Sequence, residues 1–394
     1  MRLDLNFSVI NFGCKVNQYQ GELLRENLIL LGLIEATSPP YDLVFVNGCM
    51  VTETASREAM RTARKFSSIA RVFLTGCLGK NNAKDGFEYI NPDALEELSE
   101  KLGLQGNMKS EIDSFLGHTR AMVLVQLGCD NFCSYCIVPY MRGEPRNRPA
   151  KDIVEETKKL ASSGFREIVL CGTELGHRKD LPDLIKSISG VRGIERIRLS
   201  SINPRHLSPS LVRELLSIEK VAPHLHLPLQ SGSDRVLGLM NRGYNQKHFL
   251  QLVDAAREGR DEIGITTDIL VGFPGENEND FEETIKVMEM AAFSRCHVFP
   301  FSKRPGTKAY DMEAVPDEII KARAKDARAK ASSLARQAIS AMINRCTKVL
   351  VESDSEGFSG SYLRVRVTGK VGLGDFVPVR ITGKEKEGLV GEKI

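Results

Sequence analysis

The chain of 394 residues contains no tryptophan, an absence that excludes nothing by itself. It has little net charge, +3 at pH 7. That excludes a chain basic all over, so any nucleic-acid footprint must be local. It has no run of about 18 apolar residues, and so no expected membrane-spanning helix. The opening MRLDLNFSVINFGC is a short apolar run interrupted by Arg2 and Asp4, which is not the pattern of a secretory leader. From these absences the expected location is the cytoplasm. There, nine cysteines are poorly suited to disulfides and better suited to metal. With 42% hydrophobic and 27% charged residues, the composition is that of two or three ordinary globular domains.

One more absence is local. Cys129, Cys133 and Cys136 stand in QLGCDNFCSYC at C-x3-C-x2-C spacing, with no fourth cysteine near by. Closed tetrahedral zinc sites usually take four protein ligands, often as two C-x2-C knuckles. An iron–sulfur cluster is also held by thiolates, and withholding one ligand leaves one iron open for chemistry.

The first 112 residues repeat one pattern, an apolar run that ends in Gly-Cys and is followed by a helix-like segment. FSVINFGC ends at Cys14, LVFVNGC at Cys49 and RVFLTGC at Cys77. Strands alternating with helices predict a parallel α/β sheet, whose ligands bind beyond the carboxyl ends of the strands. Three cysteines far apart in sequence are therefore expected to converge. The middle carries six apolar or β-rich runs, MVLVQL, EIVLCGT, RIRLSSI, HLHLPL, ITTDILVGF and CHVFPF, most of them separated by helical patterns. Six such units predict a partial parallel barrel with its site at the C-terminal rim. Residues 317–345 are alanine-rich and helical. From Lys321 to Lys348 they hold eight Lys/Arg and one acid, +7, readable as a solvated face or as phosphate contact. The tail breaks into short β runs split by Gly and Ser, a small antiparallel barrel. Cys171 and Cys296 lie inside β runs and are expected to be buried small hydrophobes, and Cys346 has no partner pattern. Of His224 and His226, which alternate in one strand, packed side chains are the plainer expectation.

CDNFCSYC resembles the motif of the radical S-adenosylmethionine (SAM) enzymes. GCKVNQY, NGCMVTETA, TGCLGK, HLHLPLQSGSDRVLGLMNRGY and TDILVGFPGE extend the resemblance to the methylthiotransferases over nearly the whole chain, and the tail resembles a TRAM domain. The resemblance implies three domains, at 1–112, 113–342 and 343–394. It implies a 4Fe–4S cluster on Cys129, Cys133 and Cys136 whose open iron takes SAM, and a second, auxiliary cluster on Cys14, Cys49 and Cys77. No catalytic side chain beyond these ligands is implied, because an unactivated aromatic C–H bond is attacked by a radical rather than a base. By motif, Tyr135, Thr173, Glu174, Ser200, Ser201, Gln230, Ser231 and Gly272 are the expected SAM contacts. The implied partner is tRNA, with Arg146, Arg148, Arg328, Lys330, Arg336, Lys348, Arg364 and Arg366 as candidate RNA contacts, besides an electron donor and a sulfur source of unknown identity. GCKVNQYQ resembles the branch acting on N6-threonylcarbamoyladenosine at position 37, whereas the isopentenyladenosine branch typically has Gln-Met-Asn after that cysteine. Activity on another tRNA nucleoside or a ribosomal-protein aspartate, or a non-catalytic metal-stabilised RNA-binding role, are the alternatives. Two positions depart from the family: Gly48 stands where Thr is common, and Gly79-Lys80 where Ala-Gln is frequent.

Overall fold

The computed structural model describes residues 5–51, 53–78, 86–94, 96–386 and 388–394. Gly79 and Lys80 lie outside them. The first third contains β1 (Asn6–Asn11), β2 (Ile34–Glu35), β3 (Leu43–Gly48), β4 (Arg71–Gly76) and β5 (Glu88–Tyr89), with α1 (Lys15–Leu30), α2 (Glu53–Phe66) and α3 (Glu96–Leu102) between or after them. The strands form one parallel sheet in the order β2-β1-β3-β4-β5. α1 carries apolar residues on two sides. Leu24 and Leu28 pack with Phe7 and Phe45 of this sheet, while Val16, Tyr19 and Leu23 join the core of the next body. A helix apolar on both sides must be covered on both, so α1 is shared.

The middle contains β6 (Arg120–Leu127), β7 (Arg146–Asn147), β8 (Glu167–Gly172), β9 (Arg196–Leu199), β10 (His224–His226), β11 (Gly264–Val271) and β12 (Arg295–Pro300). Its helices are α4 (Val138–Arg142), α5 (Ala150–Ser162), α6 (Leu181–Ser189), α7 (Pro209–Ser217), α8 (Asp234–Leu239), α9 (Gln246–Gly259), α10 (Glu278–Ala291) and α11 (Asp317–Ala341). All six runs read from the sequence are strands. The ladders β6-β8-β9 and β10-β11-β12 are parallel, and bridges Ile197–Val221 and Ser201–His226 join them. Among the described residues no ladder joins β12 to β6, so the barrel is open. Its lumen is reached by solvent. On β11, Ile265, Thr267, Ile269 and Val271 are buried, whereas Asp268 and Leu270 on the other face are half-exposed. β7 is a short antiparallel strand on β6 that the sequence pattern did not indicate.

β13 (Cys346–Ser353), β14 (Glu356–Ser359), β15 (Arg364–Thr368), β16 (Phe376–Glu385) and β17 (Gly388–Lys393) close into a barrel in the order β13-β14-β15-β17-β16. The expected antiparallel pairing holds at four contacts, but β15 and β17 run parallel. β14 escaped the sequence reading because EGFS has no apolar run. Val349, Val351, Val365, Val367, Val377, Val379, Ile381 and Leu389 fill the interior.

This small barrel docks on the amino-terminal ends of the parallel strands, opposite the rim. Gly264, which opens β11, would place a Cβ 2.1 Å from the Ser361 carbonyl oxygen, so only glycine admits that approach. Glu167, which opens β8, is fully buried between Arg196 (Nε to Oε2, 2.6 Å) and Arg198 (Nε to Oε1, 2.9 Å). These arginines also donate to carbonyls of Lys348, Phe358, Ser359 and Gly360. Arg120 bonds Glu352 and lies over the rings of Phe358 and Tyr362. Burial alone would push the Glu167 carboxyl up, but Arg196, Arg198 and Arg120 together hold its pKa at about 2. Glu167→Gln should therefore destabilise the protein by about 3–5 kcal/mol, because two guanidiniums lose their countercharge in a dry site. Because the folded pKa is depressed, the wild-type contribution is complete above the unfolded carboxyl range and falls away as pH drops toward 2. Denaturant unfolding of both proteins between pH 7 and pH 3 measures this; equal stabilities at pH 7 would contradict it.

Candidate metal and cofactor site

The Gly-Cys endings fall at one edge. In register, Asn11 pairs Asn47, Asn47 pairs Thr75, and Gly48 pairs Gly76. Cys14, Cys49 and Cys77 follow immediately. Gly13 has φ +105°, and a Cβ on it would stand 2.5 Å from the Cβ of Cys49. The glycine thus permits both the turn and the approach of two cysteines. At Gly48 the space a Thr side chain would need is taken by Leu78, 2.6 Å from an added Cβ. Asn17, buried in the first turn of α1, donates from Nδ2 to the carbonyls of Phe12 (3.0 Å) and Gly48 (2.9 Å), tying the first strand end to the second. Cys14 is exposed, while Cys49 and Cys77 are buried. Burial pushes the Cys49 thiol up to about 11, and Cys14 and Cys77 push it the same way.

The second trio follows β6. Gly128, at φ +80°, brings the loop so close to the Glu144 carbonyl that an added Cβ would stand 2.0 Å from its oxygen. The Cys129 amide donates to the Gly143 carbonyl (3.0 Å), and the Cys136 amide to that of Cys133 (2.9 Å). The segment after α8 clamps the loop. Ser134 donates through its amide to Met240 (3.0 Å) and through its hydroxyl to Leu239 (2.8 Å), and Asn241 Nδ2 donates to the carbonyls of Asn131 (3.0 Å) and Phe132 (3.1 Å). Burial, and then the charge of Cys133, push the Cys136 thiol up to about 12. Burial pushes Cys129 up to about 11, with Glu174 and Cys133 acting in the same direction.

Two buried arginines, which sequence reasoning did not single out, meet these sulfurs. Arg142, six residues after Cys136, donates from Nε to Cys77 Sγ (3.1 Å) and from Nη1 to Gln20 Oε1 (2.6 Å), and its Nη2 bonds Asn17. Arg242 donates from Nη1 to Cys133 Sγ (3.3 Å) and from Nη2 to the Pro228 carbonyl (3.2 Å). Arg242 lies inside the quoted motif LMNRGY; no pattern marked Arg142. Because Arg142 leaves the loop of one trio and ends on a cysteine of the other, both trios face one junction.

The donor chemistry fits iron–sulfur clusters. All nine cysteines are free thiols, and each trio has a buried guanidinium to offset thiolate charge. Thiols that burial keeps protonated ionise when a cation binds them. Among the described residues no three His, Cys, Asp or Glu side chains gather tightly enough to share one ion. A cluster, which takes each thiolate on a separate iron, does not require that approach.

The expected SAM contacts divide into two groups. Thr173, Ser201 and Gln230 are half-exposed at the rim, and Ser200 is buried with an Oγ that has no hydrogen-bond partner. Tyr135 packs edge-on to Phe273. The others are engaged elsewhere. Glu174 Oε1 accepts from the amides of Gly176 and Asn203, both at 3.1 Å. Ser231, 1% exposed, turns inward beside Thr284. Gly272 leaves room for Ile320, which an added Cβ would meet at 2.4 Å. Cys171 is buried as expected, Cys296 is half-buried and Cys346 is exposed. His224 is packed against Tyr362, but His226 is half-exposed in the lumen.

Arg148 corrects an expectation. Its Nη1 donates to Glu156 Oε2 (2.7 Å), Tyr19 Oη (3.0 Å) and the Leu124 carbonyl (2.7 Å), so it faces inward rather than toward RNA. A buried carboxylate and phenol outcompete solvent for it. Arg146 is exposed and pairs with Asp93, Lys330 pairs with Glu289, and Arg364 and Arg366 pair with Glu356 and Glu385. Arg328, Arg336 and Lys348 are exposed.

Two family models match: the Radical SAM superfamily over residues 123–288 and "Uncharacterized protein family UPF0004" over residues 6–94. The threonylcarbamoyladenosine tRNA methylthiotransferase MtaB of Chlamydia pneumoniae is 36% identical, covering 98% of this chain and 97% of its own length. The MtaB of Thermotoga maritima is 33% identical over 96% and 95%. The tRNA-2-methylthio-N(6)-dimethylallyladenosine synthase of Desulfotalea psychrophila is 31% identical over 98% of both. Among solved structures, the radical SAM methyltransferase TsrM of Kitasatospora setae superposes with a TM-score of 0.60 at 14% identity, over 78% of this chain and 77% of its own, a likeness of fold. The chain belongs to the radical-SAM methylthiotransferase family, enzymes that use a 4Fe–4S cluster and SAM.

Proposed function

We propose that this chain is a tRNA methylthiotransferase that places a methylthio group on C2 of N6-threonylcarbamoyladenosine at position 37. The observation that carries the reading is the meeting of two three-cysteine sets at one junction, each set one ligand short of a closed site. Cys129, Cys133 and Cys136 hold the SAM-binding cluster, and Cys14, Cys49 and Cys77 hold the auxiliary one. When bound, the two clusters and SAM supply the one-electron chemistry that opens an unactivated aromatic C–H bond, together with the sulfur that replaces the hydrogen. The chain supplies position. Arg142 and Arg242 keep each trio beside the shared junction and offset its negative charge. Thr173, Ser200, Ser201 and Gln230 present polar atoms to SAM, with Tyr135 alongside. Glu174, Ser231 and Gly272 hold the loops that carry those atoms. The nucleoside assignment follows GCKVNQYQ and the names of the two MtaB relatives.

RNA has a track to follow. α11 begins with Ile320 against Gly272 at the rim and ends with Ile339 and Met342 in the small-barrel core. At about 1.5 Å per residue its 25 residues span about 37 Å. Lys321, Lys325, Arg328 and Arg336 recur at helical spacing on one exposed face, while Arg323 on another face is buried against Glu276 (2.9 Å). The +7 run is therefore a stripe of four exposed cations with a buried ion pair behind it. With Lys348, Arg364 and Arg366 it connects the small barrel to the rim, and a stem with a splayed loop base suits such a surface.

Replacing Lys321, Lys325, Arg328 and Arg336 together by Ala should weaken tRNA binding and flatten the slope of log K against log salt by about 2–4; an unchanged slope would remove the stripe from the interface. After anaerobic reconstitution, the Cys14/Cys49/Cys77→Ala triple variant should retain about half of the wild-type iron and sulfide; wild-type iron content in that variant would refute the auxiliary cluster. Nucleoside analysis of tRNA from a deletion strain tests the activity itself. Loss of the 2-methylthio form of N6-threonylcarbamoyladenosine is expected, and an unchanged profile would sink the proposal.

A further inference from the structure

The outer face of the Cys129–Cys136 loop exposes aromatic rings. Phe132, which directly precedes Cys133, is 39% exposed and has φ +42°. A bulky residue rarely adopts that left-handed conformation, which costs energy unless the surroundings impose it. Asn241 imposes it, through its bonds to the carbonyls of Asn131 and Phe132. Tyr140, 50% exposed, meets the Phe132 ring edge-on, with centroids 5.6 Å apart. Two more exposed apolar side chains flank the pair, each on a segment bonded to the same loop. Leu239 accepts through its carbonyl from the Ser134 hydroxyl (2.8 Å). The Ala309 amide, next to Tyr310, donates to the Ser134 carbonyl (2.7 Å). Apolar surface gathered from three segments and held out by strain marks a contact site.

The patch faces away from the junction. Arg142, two residues beyond Tyr140 in α4, reaches Cys77, and positions two apart on a helix point about 200° apart. SAM and the target base belong to the junction, so this face is left to a third participant. Beneath it lies the loop that carries Cys133 and Cys136. The segments around it carry Arg242, Lys303, Arg304 and Lys308 against Asp130 and Asp311, and Arg205 packs against Gly243 beside them. Asp130 already faces His177 Nε2 at 2.9 Å. The collar is therefore basic and suits an acidic partner.

We propose that Phe132, Tyr140, Leu239 and Tyr310 form the docking surface for an acidic one-electron carrier protein that reduces the cluster held by Cys129, Cys133 and Cys136. The inference rests on the reading of that trio as the SAM-binding cluster site and adds the partner that supplies its electron. The carrier gives up one electron and the cluster gains it, with no bond made or broken and no proton moved. A small apolar patch in a charged collar suits an encounter that ends after each transfer, because transient redox complexes bury little surface.

The test uses anaerobic, cluster-reconstituted full-length protein, with flavodoxin and ferredoxin as carrier probes and dithionite as a small reductant that needs no docking. Binding of each oxidised carrier is read by calorimetry, and reduction of the cluster by electron paramagnetic resonance. Wild type should bind at least one carrier, more weakly as salt rises. Tyr140→Glu and Tyr310→Glu should each weaken that binding about 10-fold, the scale of losing one interface anchor. Both should slow reduction by the carrier and leave reduction by dithionite at the wild-type rate. Met290→Glu, an exposed position at the end of α10 on the amino-terminal edge of the barrel, should change neither. Wild type that binds neither carrier overturns the inference. So do tyrosine variants that bind and are reduced like wild type, or that lose dithionite reduction in the same proportion, since that loss marks a structural role. The reading beneath it fails differently: wild type would then load no iron at this trio, or dithionite would not reduce it.

Discussion

In a parallel sheet every strand leaves at the same edge, so residues at successive strand ends become neighbours whatever their distance in sequence. This chain uses that polarity twice. The carboxyl edge of the first sheet carries Cys14, Cys49 and Cys77, and the carboxyl rim of the open barrel carries Cys129, Cys133 and Cys136. α1 packs on both bodies, and Arg142 leaves the barrel loop to reach Cys77 at 3.1 Å. The two edges therefore oppose each other at one place. Reversing either sheet, or closing the barrel, would separate the trios or fill the space between them.

The opposite edge does mechanical work. There the small barrel is held by Glu167 and its arginines, a charged group that is dry and fully bonded. Such a site tolerates little variation, because each charge depends on the others. Holding the small barrel at the amino-terminal edge also keeps it clear of the rim. α11 spans the length between them, so one helix sets the distance from the small barrel to the rim.

Much of this was legible in the sequence for particular reasons. Runs such as EIVLCGT and ITTDILVGF are too apolar and β-branched to be anything but buried strands, and Gly-Cys endings mark strand ends because a tight turn follows. Short spacing made the second trio visible, and repetition of one pattern made the first visible. Elsewhere residue type misled. Arg148 looked like a phosphate contact beside Arg146, yet Tyr19 and Glu156, from two distant segments, draw it inward. Gly272 and Glu174 sit in motif positions, but contacts from Ile320, Gly176 and Asn203 give them structural tasks. β14 left no apolar signature to read, and residue pattern carries no sign of strand direction, so the parallel β15–β17 pair was not foreseen.

Chain-local chemistry was thus determined by the sequence alone: which residues are thiols, where strands stop, and which helix carries a basic stripe. What only the tertiary structure decided is who answers whom across long separations. Arg142 on Cys77, Arg242 on Cys133 and Glu167 among three arginines are all of this kind. The reason is physical. Periodicity and turn chemistry act over a few residues, whereas the fate of a buried charge depends on every group that packing brings within a few ångströms of it.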